Sequence, residues 1–216
     1  MTRELSVWEN ASPGTRELMA IFEGSDSPPL HELSVEGARS ATSAASRFLQ
    51  GPTPAVAHVH DFVIEHDGIA MSIRVYHPSP SESLPLIVYV HGGGWVTGDL
   101  DVVDGPCRRL ALGTRSVVVS IDYRRSPETR APGAVADLWA AVHWCDEQRG
   151  LLGARESGLS LVGDSAGAHL IACLLVSEVV PAVTAVVLMY PPISPSGSER
   201  PGSFVTFATS PILSAD

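Results

Sequence analysis

Two short motifs hold the residues best suited to chemistry. In Gly163-Asp164-Ser165-Ala166-Gly167 a serine sits between glycines, the G-x-S-x-G pattern that lifts a nucleophile out of the backbone between a strand and a helix. A serine hydroxyl is weakly nucleophilic until a base takes its proton. The negative charge it creates on an attacked carbonyl oxygen also needs hydrogen-bond donors. Such donors can come from His91-Gly92-Gly93-Gly94-Trp95, where consecutive glycines let backbone N–H groups approach a substrate closely. Taken singly, the serine also reads as a helix N-cap and the glycines as a flexible turn. Together they are the equipment of nucleophilic acyl transfer.

The flanking elements decide between these readings. Leu159-Ser160-Leu161-Val162 is a short apolar run directly before the serine motif, and Ala166 to Val176, with Leu170, Ile171, Leu174 and Leu175, reads as an apolar helix directly after it. Strand, sharp turn and helix expose the hydroxyl and aim the positive end of the helix dipole at an oxyanion. A chymotrypsin-like Gly-Asp-Ser-Gly-Gly reading fits poorly, because that serine does not open an apolar helix. Leu86-Ile87-Val88-Tyr89-Val90, Val117-Val118-Val119-Ser120-Ile121 and Ala185-Val186-Val187-Leu188-Met189 are further runs of the kind buried on both faces of a sheet. Between the runs, one helix covers roughly Asp104 to Leu112 and ends at Gly113. Another starts at Pro132 with Val135, Leu138, Trp139, Val142 and Cys145 along one face. The alternation predicts a parallel sheet with right-handed crossovers.

Upstream the rhythm differs. From Val56 the period is two, with Val59 to His66 alternating, an Asp67-Gly68 turn, and Ile69, Met71, Ile73 and Val75 returning, which predicts an antiparallel hairpin. Before it, Ser34 can cap a helix through Ala38, Ala41, Ala45 and Phe48 that stops at Gly51-Pro52, and Pro28-Pro29 separates it from the preceding segment. Pro191 to Pro211, rich in Pro, Ser and Gly, reads as irregular.

Composition narrows the partners. At 216 residues with 44% hydrophobic side chains, the chain is long and apolar enough for one ordinary domain with a sizeable core. Its 14 basic against 24 acidic residues, a formal net charge of -10, argue against nucleic acid and anionic membrane as partners. The opening Met1-Thr2-Arg3-Glu4 carries an acid where a secretory signal would be basic and then apolar. No apolar stretch reaches the ~18 residues of a membrane span, so the expectation is a cytoplasmic protein without one. Cys107, Cys145 and Cys173 are widely spaced and odd in number, which predicts buried free thiols rather than disulfides or a metal site.

From about Ser34 onward the chain resembles the hormone-sensitive-lipase-like branch of the α/β-hydrolases, a family of carboxylesterases and lipases. Besides HGGGW and GDSAG, Asp122-Tyr123-Arg124-Arg125-Ser126-Pro127-Glu128 is similar to the family's DYRLAPE segment, and Tyr190-Pro191 to its strand-end YP. The resemblance implies an α/β-hydrolase fold, with residues 1–55 as an N-terminal helical cap region and 56–216 as the core. It implies that Ser165 is the nucleophile, that the amides of Gly93, Gly94 and Ala166 form the oxyanion hole, and that His91, Asp122, Tyr123, Glu128 and Asp164 brace the loops. The implied substrate is a small apolar ester, hydrolysed without metal or organic cofactor.

Arg125-Ser126 and Thr129-Arg130 depart from the family's Leu-Ala and His-Pro. The larger departure lies at the end. The family's triad acid and histidine follow the serine in the order Ser, Asp or Glu, His. After Ser165 this chain holds one histidine, His169, and three acids, Glu178, Glu199 and Asp216. His169, four residues into the helix, is a poor base by position, and none of the acids stands at a strand end. The expectation is therefore an incomplete core lacking its last strands and the downstream Asp and His, weakly active or inactive alone. The alternative is a non-catalytic remnant of the same fold that binds a small ligand. The strand from Thr184 to Met189 would then be an apolar sheet edge open to self-association.

Overall fold

The structure, a computed structural model, describes residues 11–24 and 28–193. These fall into two compact units, of which the larger, Thr42–Ile193, carries the six strands described below. In the other unit, α1 (Pro13–Glu23) begins with Ser12 Oγ accepting from Thr15 N at 3.2 Å. α2 (Val35–Leu49) crosses the boundary between the units, and Ser34 Oγ accepts from Gly37 N at 3.1 Å, the cap its sequence announces.

Among the described residues the sheet has six strands, in the order β1-β2-β4-β3-β5-β6. β1 (His58–His66) and β2 (Ile69–His77) form the antiparallel hairpin, with Asp67 and Gly68 both at positive φ as a tight primed turn demands. β2 pairs antiparallel with β4 (Val117–Ile121), and from there β4, β3 (Leu84–Val90), β5 (Ala154–Asp164) and β6 (Val183–Met189) run parallel. β5 is longer than its apolar run predicts, because it starts at Ala154, paired with Leu84, and continues through the exposed Arg155–Ser157 before the buried part.

Strand side chains alternate between two helical layers. Leu86, Val88 and Val90 of β3, with Val117, Val119 and Ile121 of β4, share one core with Leu138, Val142 and Cys145 of α4 (Gly133–Glu147) and with Leu170, Ile171 and Leu174 of α6 (Ser165–Ser177). Ile87, Tyr89 and Val118 point the other way, onto Cys107 and Ala111 of α3 (Asp104–Thr114). α3 runs through Gly113 to Thr114, one residue past the expected stop, and Arg115 takes the left-handed capping conformation. A short α5 (Arg149–Leu152) precedes β5. Cys107 and Cys145 are buried as expected, and burial pushes the Cys145 thiol up to about 12. Cys173 is only half-buried, contrary to expectation.

Candidate active site

Ser165 stands where β5 ends and α6 begins, at φ +48°, a conformation that a non-glycine residue holds only when its surroundings impose it. The flanking glycines show what imposes it. A Cβ at Gly163 would lie 2.8 Å from Ile171 Cδ1 and 2.9 Å from the Gly167 carbonyl carbon. At Gly167 it would overlap the carbonyl oxygen of Val90 and stand 2.5 Å from that of His91. The first turn of α6 therefore passes directly against the end of β3 and brings the two motifs together. At Gly92, likewise, a Cβ would stand 3.1 Å from that of Ser165.

Asp164 joins the motifs by hydrogen bonds. Its Oδ1 accepts from Gly92 N at 3.0 Å and from Tyr89 Oη at 2.8 Å, and Tyr190 Oη reaches Oδ2 at 3.5 Å. Burial and the adjacent carboxylate push the Tyr89 phenol well above its ordinary range, so it remains a donor. The glycine loop then folds on itself. Gly93, Gly94, Trp95 and Gly98 all have positive φ, and Gly93 O accepts from Val96 N, Thr97 N and Thr97 Oγ1 at 3.1, 2.8 and 3.0 Å. Among the described residues, that turn uses neither the Gly93 nor the Gly94 amide as a donor.

His91 is fully buried, stacked on Tyr123 with ring centroids 4.3 Å apart, and Tyr123 Oη donates to the His91 carbonyl at 2.8 Å. Its Nδ1 lies 2.7 Å from Gly92 O, and since a carbonyl only accepts, Nδ1 carries the proton. Burial lowers the imidazole pKa, which keeps the ring neutral. Asp122 follows β4, its amide bonded to Ser72 O at 3.0 Å. Glu128 lies exposed in the turn beyond. Sequence reading gave no role to Asp137, yet this fully buried carboxylate of α4 accepts from Arg124 N at 2.7 Å and Arg124 Nε at 2.9 Å. Its signal, an acid inside an apolar helical face, was present but ambiguous.

His169 sits on α6 beside the site, its Nε2 3.6 Å from Cys173 Sγ and its ring edge-on to Trp95 at 5.3 Å. Among the described residues no histidine nitrogen is hydrogen-bonded to the Ser165 hydroxyl. Glu199, Asp216 and most of the Pro191–Pro211 stretch lie outside the described residues. A cleft of about 740 Å³ lies elsewhere, lined by Arg47, Arg74 and Arg108 with Asp61, Asp101 and Asp104, and does not include Ser165. Arg74 bonds Asp61 and Asp101 there at 2.6 and 2.9 Å, so the lining charges largely neutralise one another. No trio of potential ligands is arranged for a metal among the described residues.

The model of a family described as having the alpha/beta hydrolase fold matches residues 87–216. The chain belongs to the α/β-hydrolases. Within them it is similar to enzymes of the hormone-sensitive-lipase-like carboxylesterase branch. Carboxylesterase NlhH of Mycobacterium tuberculosis is 36% identical over 162 residues, covering 73% of this chain and 50% of NlhH. Esterase LipI of the same organism is 40% identical over 119 residues, 54% of this chain and 37% of LipI. Among solved structures, a hyperthermophilic esterase from the archaeon Pyrobaculum calidifontis superposes with a TM-score of 0.83 at 33% identity, over 94% of this chain and 66% of that one. The chain thus spans about half the length, or less, of these two curated relatives. No described helix is long and apolar enough to cross a membrane.

Proposed function

We propose that this α/β-hydrolase is a carboxylic ester hydrolase in which Ser165 is the nucleophile and the amides of Gly93, Gly94 and Ala166 form the oxyanion hole. The observation that carries the reading is the Ser165 elbow, at positive φ beside a glycine loop whose Gly93 and Gly94 amides its own turn leaves unused. Ala166, at the start of α6, belongs to the first turn whose N–H groups have no partner within the helix. Attack of Ser165 Oγ on an ester carbonyl would place the oxyanion among these donors, and loss of one such donor costs on the order of 100-fold to 1000-fold in rate. His91, Asp122, Tyr123, Glu128 and Asp164 brace the loops without reacting. The serine proton needs an acceptor. His169 is engaged by Cys173 and Trp95, so among the described residues we assign that role to none, which goes with weak activity or none for this chain alone. The substrate class is a small apolar ester, in keeping with the names of NlhH and LipI.

Hydrolysis of p-nitrophenyl butyrate by the purified full-length protein, beside Ser165→Ala made the same way, tests the reading. Weak turnover that is lost in the variant is expected. Equal rates in the two would reject it and favour the ligand-binding alternative.

We also propose self-association through β6, which pairs only with β5 among the described residues and exposes Val186 and Val187. Sedimentation should show an oligomer that Val187→Lys dissociates, and a wild-type monomer at all concentrations would rule it out.

A further inference from the structure

Among the described residues, hydrogen bonds tie the loop from Gly92 to Gly98 to other segments at its start, middle and end. At its start, Gly92 N donates to Asp164 at 3.0 Å. In its middle, Trp95 O accepts from Ser126 N at 2.8 Å. At its end, Gly98 O accepts from Arg125 Nη1. The second and third contacts come from consecutive residues of the segment after β4, whose own backbone is tied to β2 through Asp122 N and Ser72 O at 3.0 Å. Arg125 is steadied in turn by Asp122, with Nη2 3.5 Å from Oδ1, and its side chain is 22% exposed.

Gly98 is a sensitive place for such a bond. Its φ is +90°, and a Cβ there would run into the ring of His91 and the Gly92 carbonyl, so the backbone at this point has no room for a side chain. The neighbouring arginine makes no such contact, because Arg124 turns to Asp137 on α4. Of the three fastenings, the first belongs to the elbow and the second is main chain to main chain. The third depends on a side chain outside both motifs, as does the ring contact of Trp95 with His169.

We infer that Arg125 is a positioning residue: by holding Gly98 O it latches the far end of the glycine loop and keeps the Gly93 and Gly94 amides aimed at the substrate oxygen. The latch stands on its own contacts, while its catalytic consequence rests on the esterase reading above.

The test uses the full-length protein with Arg125→Met, which keeps an unbranched stem without a donor, and Arg125→Lys, which keeps charge and donors on a shorter reach. Two readouts are taken: hydrogen exchange of the amides from Gly93 to Asp99, and kcat and KM for p-nitrophenyl butyrate. Arg125→Met should speed exchange in that segment about tenfold, the order expected when one charge-assisted hydrogen bond is lost. It should lower kcat by a similar factor with KM within about twofold, since the amides act on the transition state. Arg125→Lys should recover part of both. Exchange from 93 to 99 unchanged in Arg125→Met overturns the latch. Faster exchange with an unchanged Ser165-dependent kcat overturns its catalytic consequence. A wild-type protein without Ser165-dependent turnover rejects the esterase reading instead, and exchange alone then decides the latch. Should Arg125→Met not fold, the same comparison is made on Arg125→Lys, for which exchange and kcat equal to wild type overturn the inference.

Discussion

Alanine at Gly167 should unsettle both the core and the nucleophile, because the atoms in its way cannot step aside. The added Cβ would overlap Val90 O and lie 2.5 Å from His91 O and 2.6 Å from Val90 C, all main-chain atoms at the end of the central strand β3. A carbon rests against a carbonyl oxygen at about 3.3 Å or more. The start of α6 must therefore withdraw by about 1 Å, carrying the buried Leu170, Ile171 and Leu174 with it. Overpacking a core costs about 1–3 kcal/mol when side chains can adjust. With backbone as the obstacle the upper end applies, about 3 kcal/mol. With a urea m-value of about 2 kcal/mol per M, the midpoint should fall by about 1.5 M. Ser165 moves with the helix, and a displacement of about 1 Å costs on the order of 100-fold in rate. Gly94→Ala is the control. Nothing lies within 4 Å of its Cβ, so only the left-handed backbone at φ +58° opposes it, at about 1–2 kcal/mol. Urea melts and p-nitrophenyl butyrate turnover of all three proteins decide the matter. A Gly167→Ala midpoint equal to wild type, or a loss no larger than that of Gly94→Ala, refutes the contact of α6 with β3 as the source of the elbow.

Removing the Asp137 carboxylate by Asp137→Ala should cost about 3 kcal/mol in a urea melt, the low end for breaking a buried ion pair, because Arg124 is half exposed and regains water. A loss under about 1 kcal/mol would show that the pair braces nothing. Burial holds both the His91 and His77 imidazoles below their ordinary pKa, so each folds in the neutral form. Their contribution is therefore complete above about pH 6.5 and drains away as pH falls through that value, by up to about 1.4 kcal/mol per pH unit per histidine. His77→Gln should flatten the decline between about pH 6.5 and 5, and an unchanged slope would exclude His77 from it. Gly113→Ala, in α3 with open space around its Cβ, should raise stability by about 0.5–1 kcal/mol, and a lower urea midpoint would contradict a helical Gly113.

The parts of the fold that sequence reading recovered are those where one local signal had one physical meaning. Asp67-Gly68 between alternating strands allowed only a tight hairpin, and the short apolar runs of β3, β4 and β6 were strands because their flanks were turns. The elbow was legible because strand, glycine-flanked serine and apolar helix are contiguous. What escaped depended on distant partners. Nothing in Arg155–Ser157 marks a strand, and these exposed residues join β5 only because Ala154 meets Leu84. The strand order, with β3 between β4 and β5, is likewise a matter of crossovers rather than of any one segment. Arg125 illustrates the same limit at the site. As a residue type it was merely a departure from a familiar pattern, and its partner Gly98 is named only by the folded loop.

The parallel pairing of β3 with β5 also bears on how such a molecule can change. Val90 and Gly163 occupy the same rung, so both motifs emerge from one edge of the sheet on neighbouring strands, about 4.8 Å apart. That spacing comes from the hydrogen-bond ladder and is indifferent to the length of chain that wanders between the two strands. Insertions and deletions in the loops of that chain, outside α3, β4 and α4, can reshape the surroundings of Ser165. A single residue added within β5 instead slides the ladder by one step and turns its inward side chains outward. Variation in this lineage should therefore gather in the connections and be nearly absent from the strands that end at the serine and at the glycines.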